Sequence, residues 1–147
     1  MKIIIEQSQE QELEVVIRGD GQMAMELAGY LSQYGREARR IVGYQDGREF
    51  FLSPKDICYF EACDGKINAV CLNHQIYTVK KKLYEVEELT RHMGFLRISK
   101  HVVVNMAWIS SVEAEFSGNY LAYTKDGTRL SISRSYMKQF RSAILGE

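Results

Sequence analysis

The sequence is short of chain breakers. A single proline, Pro54, and 11 glycines among 147 residues leave no Pro- or Gly-rich linker, and neither a low-complexity tract nor an internal repeat is present. Cysteine is scarce as well. Cys58, Cys63 and Cys71 form no C-x-x-C pair, and His74, His92 and His101 are scattered, so the spacing of a tetrahedral zinc set is missing and neither metal nor cofactor is expected. Each cysteine sits in an apolar stretch, which suits a reduced, buried thiol. Long apolar runs are absent too: Ile3-Ile4-Ile5 and Val102-Val103-Val104 fall far short of the roughly 18 residues that span a bilayer. Met1-Lys2 leads into a short strand-like run and then acids, without the pattern of a secretory signal. The expectation is a cytoplasmic protein with no direct membrane insertion. Length suits one domain of about 150 residues, and 46% apolar with 26% charged residues is a globular composition.

No charge of one sign dominates, since 19 basic residues balance 19 acidic ones. That balance hides an asymmetry. Residues 1–64 carry 7 basic and 12 acidic side chains, and residues 65–147 carry 12 and 7. A polyanion partner is therefore not excluded, but its footprint must be local.

What recurs is Asp-Gly, a strong hairpin signal, at Asp20-Gly21, Asp46-Gly47, Asp64-Gly65 and Asp126-Gly127. The last three separate strand-like runs: 41–44 from 48–52, 57–62 from 66–72, and 120–124 from 128–133. Runs 75–79 and 109–116 extend the two series. Alternation is clear at Leu130 and Ile132 against Arg129, Ser131 and Ser133. Closely spaced strands with short turns predict a mainly antiparallel β body. Helical spacing marks Met23, Leu27, Tyr30, Leu31 and Tyr34; Leu83, Val86, Leu89 and Met93; and Tyr136, Phe140 and Ile144. The spacing assigns all three stripes to core contact. Residues 1–40 read as strand (2–6), strand (12–18) and helix (22–34). Too small to be stable alone, they form an appendage for dimerisation or regulation on a body of residues 41–147.

Gly19-Asp20-Gly21-Gln22-Met23-Ala24 matches the glycine fingerprint of a dinucleotide site. The strand before it alternates Glu12, Glu14 and Arg18 with Leu13, Val15 and Ile17, so one face is wet. The fingerprint demands a strand buried on both faces, and turn chemistry accounts for the glycines better.

Three polar-basic clusters stand out in the second half. Lys80-Lys81-Lys82 precede a helix, where the macrodipole would favour acids. Phe95-Leu96-Arg97-Ile98-Ser99-Lys100-His101 precedes the valines and Asn105, placing a cationic loop between apolar anchors; Asn105 suits an N-cap for Met106-Ala107-Trp108. Ser131-Ile132-Ser133-Arg134-Ser135 leads into the last helix.

These motifs, in this order, with Asp56-Ile57-Cys58-Tyr59-Phe60-Glu61-Ala62 and Asp64-Gly65-Lys66 before them, resemble the LytTR-type DNA-binding domain of bacterial transcription regulators. The resemblance covers roughly residues 41–142. It implies an elongated α+β fold, mainly β, with antiparallel sheets whose loops enter the major groove. It also implies a non-enzymatic regulator that binds paired repeat sites on double-stranded DNA as a homodimer. Carried over, it places base contacts at Lys66, Lys100 and Arg134. Arg97, Ser99, His101, Ser133, Lys80, Lys81 and Lys82 then suit phosphate contacts. Many members carry His-Arg-Ser where Ser99-Lys100-His101 stands, and a lysine head cannot form arginine's bidentate fork. His101 faces DNA or packs beside Val102. The family's usual receiver domain would not fit in 40 residues, so regulation is expected from a partner protein, expression level or self-association. The competing reading is a non-enzymatic β-rich module that binds a protein or peptide along a strand edge.

Overall fold

The computed structural model describes residues 2–6, 14–36 and 40–146. Helix α1 (Gly21–Arg36) comes first. Strands β1 (Ile41–Gln45), β2 (Arg48–Leu52), β3 (Ile57–Cys63), β4 (Lys66–Cys71) and β5 (Ile76–Val79) follow, then helix α2 (Leu83–Thr90). Strands β6 (Phe95–Arg97), β7 (Val102–Asn105), β8 (Ile109–Ala114), β9 (Tyr120–Thr124) and β10 (Arg129–Ile132) lead to helix α3 (Arg134–Leu145). Seven strands form one antiparallel sheet in the order β2-β1-β5-β4-β3-β7-β6, and three form a second in the order β10-β9-β8.

Turn chemistry explains the hairpins. Asp46 and Gly47 have φ of 51° and 75°, and Asp64 and Gly65 have 51° and 72°. Two successive left-handed residues are what a two-residue turn needs to match strand twist. Asp126-Gly127 builds a different turn. Only Gly127 is left-handed, and the Asp126 carboxylate instead accepts the Thr128 N–H (3.1 Å) and the Thr124 hydroxyl. Those bonds, the Thr124 hydroxyl first, hold the Asp126 carboxyl below its ordinary pKa. Asp20-Gly21 is no hairpin: Asp20 O accepts the Ala24 N–H (2.9 Å) and starts α1.

Two cores meet at β7, whose four residues are all buried. Val103 joins Phe60, Val79, Leu83, Val86 and Phe95 in the core shared with α2. Val102 and Val104 join Ile98, Ala122, Ile132 and Phe140 in the core shared with the small sheet and α3. A strand dry on both faces requires an uninterrupted apolar run, which is why three valines stand together. Asn105 caps the 3₁₀ turn Met106–Trp108 through the Ala107 N–H (3.1 Å) and donates to Ile57 O (3.1 Å).

Some elements differ from the sequence reading. The 109–116 strand ends at Ala114, because Glu115–Asn119 form the β8–β9 turn closed by Glu115 N–H to Asn119 O (2.9 Å). The second helix gives way at Arg91–Met93 to a 3₁₀ turn, stopped by left-handed Gly94. Segments 2–6 and 14–18 form neither helix nor strand and join no ladder among the described residues; positions 12 and 13 of the expected strand lie outside those residues. The apolar stripe of α1 is not buried: Met23, Tyr30 and Leu31 are exposed, and the side chain of Tyr34 lies outside what is described. Among the described residues, no helix is long and apolar enough to cross a membrane.

Candidate nucleic-acid interface

Strand register carries distant cations to one end of the large sheet. The turn at Asp64-Gly65 pairs Cys63 with Lys66, and Ile67 stands opposite Val79, so Lys80-Lys81-Lys82 leave β5 beside Lys66. Strand β7 enters at the same end: Glu61 pairs with Val102, and the Ala62 N–H donates to His101 O (2.8 Å). The β6–β7 loop, residues 98–101, therefore runs beside the β3–β4 turn. The end of β10 is tied to that loop by the Ser133 N–H donating to Ile98 O (2.9 Å).

The loop is held from below. Ile98 is fully buried and donates its N–H to Val102 O (3.0 Å). The Arg97 guanidinium donates to Ser99 O from Nε (3.0 Å), to Lys100 O from Nη2 (2.8 Å) and to Glu87 Oε2 from Nη1 (3.0 Å). Arg97 was expected at phosphate. Three of its five donors are taken by the loop carbonyls and by Glu87 of α2, so it also positions the loop. Ser99 Oγ accepts the His101 N–H (3.1 Å), a local turn. Lys100 and His101 are left exposed, so His101 does not pack beside Val102 in the core.

At the start of α3, Ser133 holds the N-cap position without a side-chain cap bond. Asn119 Oδ1 accepts the Arg134 N–H (3.1 Å) from across the β8–β9 turn. The Arg134 side chain lies over Gly118, where a Cβ would stand 3.4 Å from Nη1. A cleft of ≈ 510 Å³ runs between loop and helix, lined by Ser99, Lys100, His101, Ser133, Ser135 and Tyr136.

Of the three lysines, Lys80 lies with Nζ 4.1 Å from the centroid of the Tyr44 ring, and Lys82 5.9 Å from that of Tyr84. The acid that α2 needs at its N-terminus is supplied by Glu85, whose Oε1 accepts the Lys82 N–H (3.1 Å). Lysines at that helix end therefore do not leave it without an acid. Ion pairs among the described residues are Arg91–Glu88 and Arg97–Glu87. Lys66, Lys80, Lys81, Lys82, Lys100 and Arg134 form no ion pair among those residues. Such a set can take phosphate oxygens at the hydroxyls, lysines and helix end, and base-edge acceptors at the projecting cations. Asn119 and Glu87 carry no signal in the sequence for these parts, and Tyr136, part of the apolar stripe of the last helix, lines the cleft.

The family model for the LytTr DNA-binding domain matches residues 47–145. The chain belongs to that family. Among LytTr relatives, the sensory transduction protein LytT of Bacillus subtilis is 31% identical over 93 residues, 63% of this chain and 38% of that protein. This chain thus spans well under half of LytT. An HTH-type transcriptional regulator of Staphylococcus aureus is 30% identical over 109 residues, 74% of this chain and 72% of the relative. A solved structure from Bacillus cereus, the LytTr DNA-binding domain of a protein described as a methyl-accepting/DNA response regulator, superposes with a TM-score of 0.67. It covers 72% of this chain and 96% of that one at 23% identity, so it speaks for the fold, which is the mainly antiparallel β architecture described above.

Proposed function

We propose that this chain is a sequence-specific, DNA-binding transcription regulator that acts by binding and not by catalysis. Lys66, Lys100 and Arg134 read base edges in the major groove. Lys80, Lys81, Lys82, Ser99, His101 and Ser133 take phosphates and set the register, and Arg97 holds the reading loop in place. The observation that carries this reading is the convergence of cations without carboxylate partners on one end of a sheet, on segments tied together by backbone hydrogen bonds. Membership in the LytTr family supports it. Among the described residues no two α-helices are consecutive, so loops and not a helix–turn–helix are the reading elements here. Residues 1–40 serve as an appendage for dimerisation or regulation on the body formed by 41–147, and the protein acts in the cytoplasm on paired repeat sites bound by two copies.

The test uses a duplex recovered from a random library by the wild-type protein. Lys100→Ala and Arg134→Ala each lose affinity for it by roughly ten- to a hundredfold, as a base contact of about 1–3 kcal/mol requires, with thermal unfolding nearly unchanged. Lys81→Ala weakens binding equally on all sequences and lowers the salt slope by about one. Arg97→Ala loses discrimination while its salt slope stays near that of the wild type. Wild-type affinity in either Lys100→Ala or Arg134→Ala removes that residue from the reading set. A shallow salt dependence throughout would favour a protein or peptide ligand.

A further inference from the structure

The two segments before α1 carry matched sequences. Lys2-Ile3-Ile4-Ile5-Glu6 and Glu14-Val15-Val16-Ile17-Arg18 each hold three apolar residues between one acid and one base. Both line a groove with Met23, Leu27 and Leu31 of α1, yet neither is in a ladder among the described residues. Ile3, Ile4 and Ile5 are 73%, 69% and 86% exposed. Among the described residues, nine large exposed apolar side chains fall between Ile3 and Leu31. Six of them, Ile3, Ile4, Val15, Val16, Met23 and Leu31, line that groove and together present roughly 600 Å², the upper end of what a monomer leaves in one apolar patch. A patch of this size on a folded chain marks a place for a partner.

Charge identifies the partner. Folded on each other as an antiparallel hairpin about the seven intervening residues, the segments would set Lys2 against Arg18 and Glu6 against Glu14. Like charges directly opposite oppose pairing, and a parallel arrangement needs a longer crossover. Laid antiparallel on its own copy, Lys2–Glu6 sets Lys2 against Glu6, Ile3 against Ile5 and Ile4 against Ile4. We infer that this segment is a self-recognition strand that pairs with the same segment of a second copy across a two-fold axis. The 14–18 segment and the apolar stripe of α1 cover the joined strands. Lys2–Glu6 is chosen over Glu14–Arg18 because its apolar residues are the more exposed, Ile17 being partly buried. Helix α1 lies against the Arg91–Met93 turn, which precedes β6, whereas the cationic loop follows it. Pairing therefore leaves the cationic end free, and the inference does not rest on the DNA reading.

The test is sedimentation velocity on the full chain, tagged at its C-terminal end. Wild type is dimeric at micromolar concentration. Lys2→Glu and Glu6→Lys each turn two attractive pairs per dimer into repulsive ones and weaken dimerisation about tenfold or more. The double variant Lys2→Glu/Glu6→Lys restores it, because the pairs are merely exchanged. An equimolar mixture of the two single variants, one carrying two acids and the other two bases, forms heterodimers at concentrations where each alone is monomeric. A wild type that stays monomeric at concentrations on the order of 100 μM overturns the inference, as does a double variant no better than the singles. Affinity for a single half-site, measured in parallel, is expected to be unchanged in every variant. A failure of self-pairing is thereby told apart from a failure of DNA binding.

Discussion

Gly43 sits in the middle of β1, buried, where a side chain has no room. A Cβ there would stand 2.7 Å from Tyr77 Cβ and 2.8 Å from Leu52 Cδ1. The leucine tip can rotate away, but Tyr77 Cβ is fixed to its backbone, and Tyr44 pairs with Thr78 on that same strand. Gly43→Ala must therefore push β1 away from β5. We expect a loss of about 1–3 kcal/mol in urea unfolding, the range for overpacking a tight interior. The damage centres on the β1–β5 pairing, where Lys80 lies over Tyr44, so below the transition any loss of DNA affinity is a uniform phosphate effect and sequence discrimination stays near wild type. Arg97 makes the opposite point about what a residue type signals. An arginine beside a basic loop reads as one more phosphate contact, yet three of the five donors on this partly buried guanidinium go to two loop carbonyls and Glu87.

Among the elements, the β8–β9 turn does more than reverse the chain. Asn119 leaves the turn to hold the first N–H of α3, and the side chain of the arginine that opens that helix lies over Gly118. Asn119→Ala should cost about 0.5–2 kcal/mol, the range for losing a helix cap, and should also weaken specific DNA binding by freeing Arg134. Asn119→Asp, which keeps an acceptor at that position, should recover the stability. Thermal unfolding and binding to the selected duplex read the two effects separately. Such cross-element bonds were not legible in the sequence, whereas local chemistry was. The turns at Asp46-Gly47 and Asp64-Gly65 follow from the φ that those residues tolerate. The triple valine announces a strand dry on both faces, and Asn105 announces its own cap. The α1 stripe shows the limit of periodicity: Met23, Leu27 and Leu31 declare an apolar face, but the period says nothing of what covers it. Likewise the lysine run before α2 looked unfavourable until Glu85, three residues on, reached back to the helix start. Lys66, Lys100 and Arg134 could be named in advance, but only strand register brings the first two to one end, and only the Ser133 N–H bond to Ile98 O ties the start of α3 to the Lys100 loop.

At the level of the whole molecule, β7 is a common wall between two cores, and the buried groups of β3 and β4 beside it set how stability responds to alkali. Burial first, with nearby Cys58 and Asp56, pushes the Cys71 thiol up from 9.0 to about 11. Cys58 and Tyr59 are raised in the same direction, again chiefly by burial. Each of these groups is neutral when protonated, and the folded chain holds the proton longer than the unfolded chain. Below pH 9 the Cys71 proton is bound in both states, so its contribution is intact. As pH rises from 9 toward about 11, the unfolded chain releases that proton and the folded chain does not, so stability falls. A shift of that size amounts to about 2–3 kcal/mol at the alkaline end. Urea midpoints taken from pH 7 to 11 under reducing conditions should decline along that limb. Cys71→Val, which keeps an apolar side chain of similar size, should flatten most of the decline while leaving the neutral-pH midpoint within about 1 kcal/mol. The residue of the slope would belong to Cys58 and Tyr59. A limb of unchanged steepness in Cys71→Val would mean that the thiol titrates alike in both states. The core shared with α2 would then be open to water at β4, contrary to the burial of Cys71 with Ile57, Phe60 and Val103.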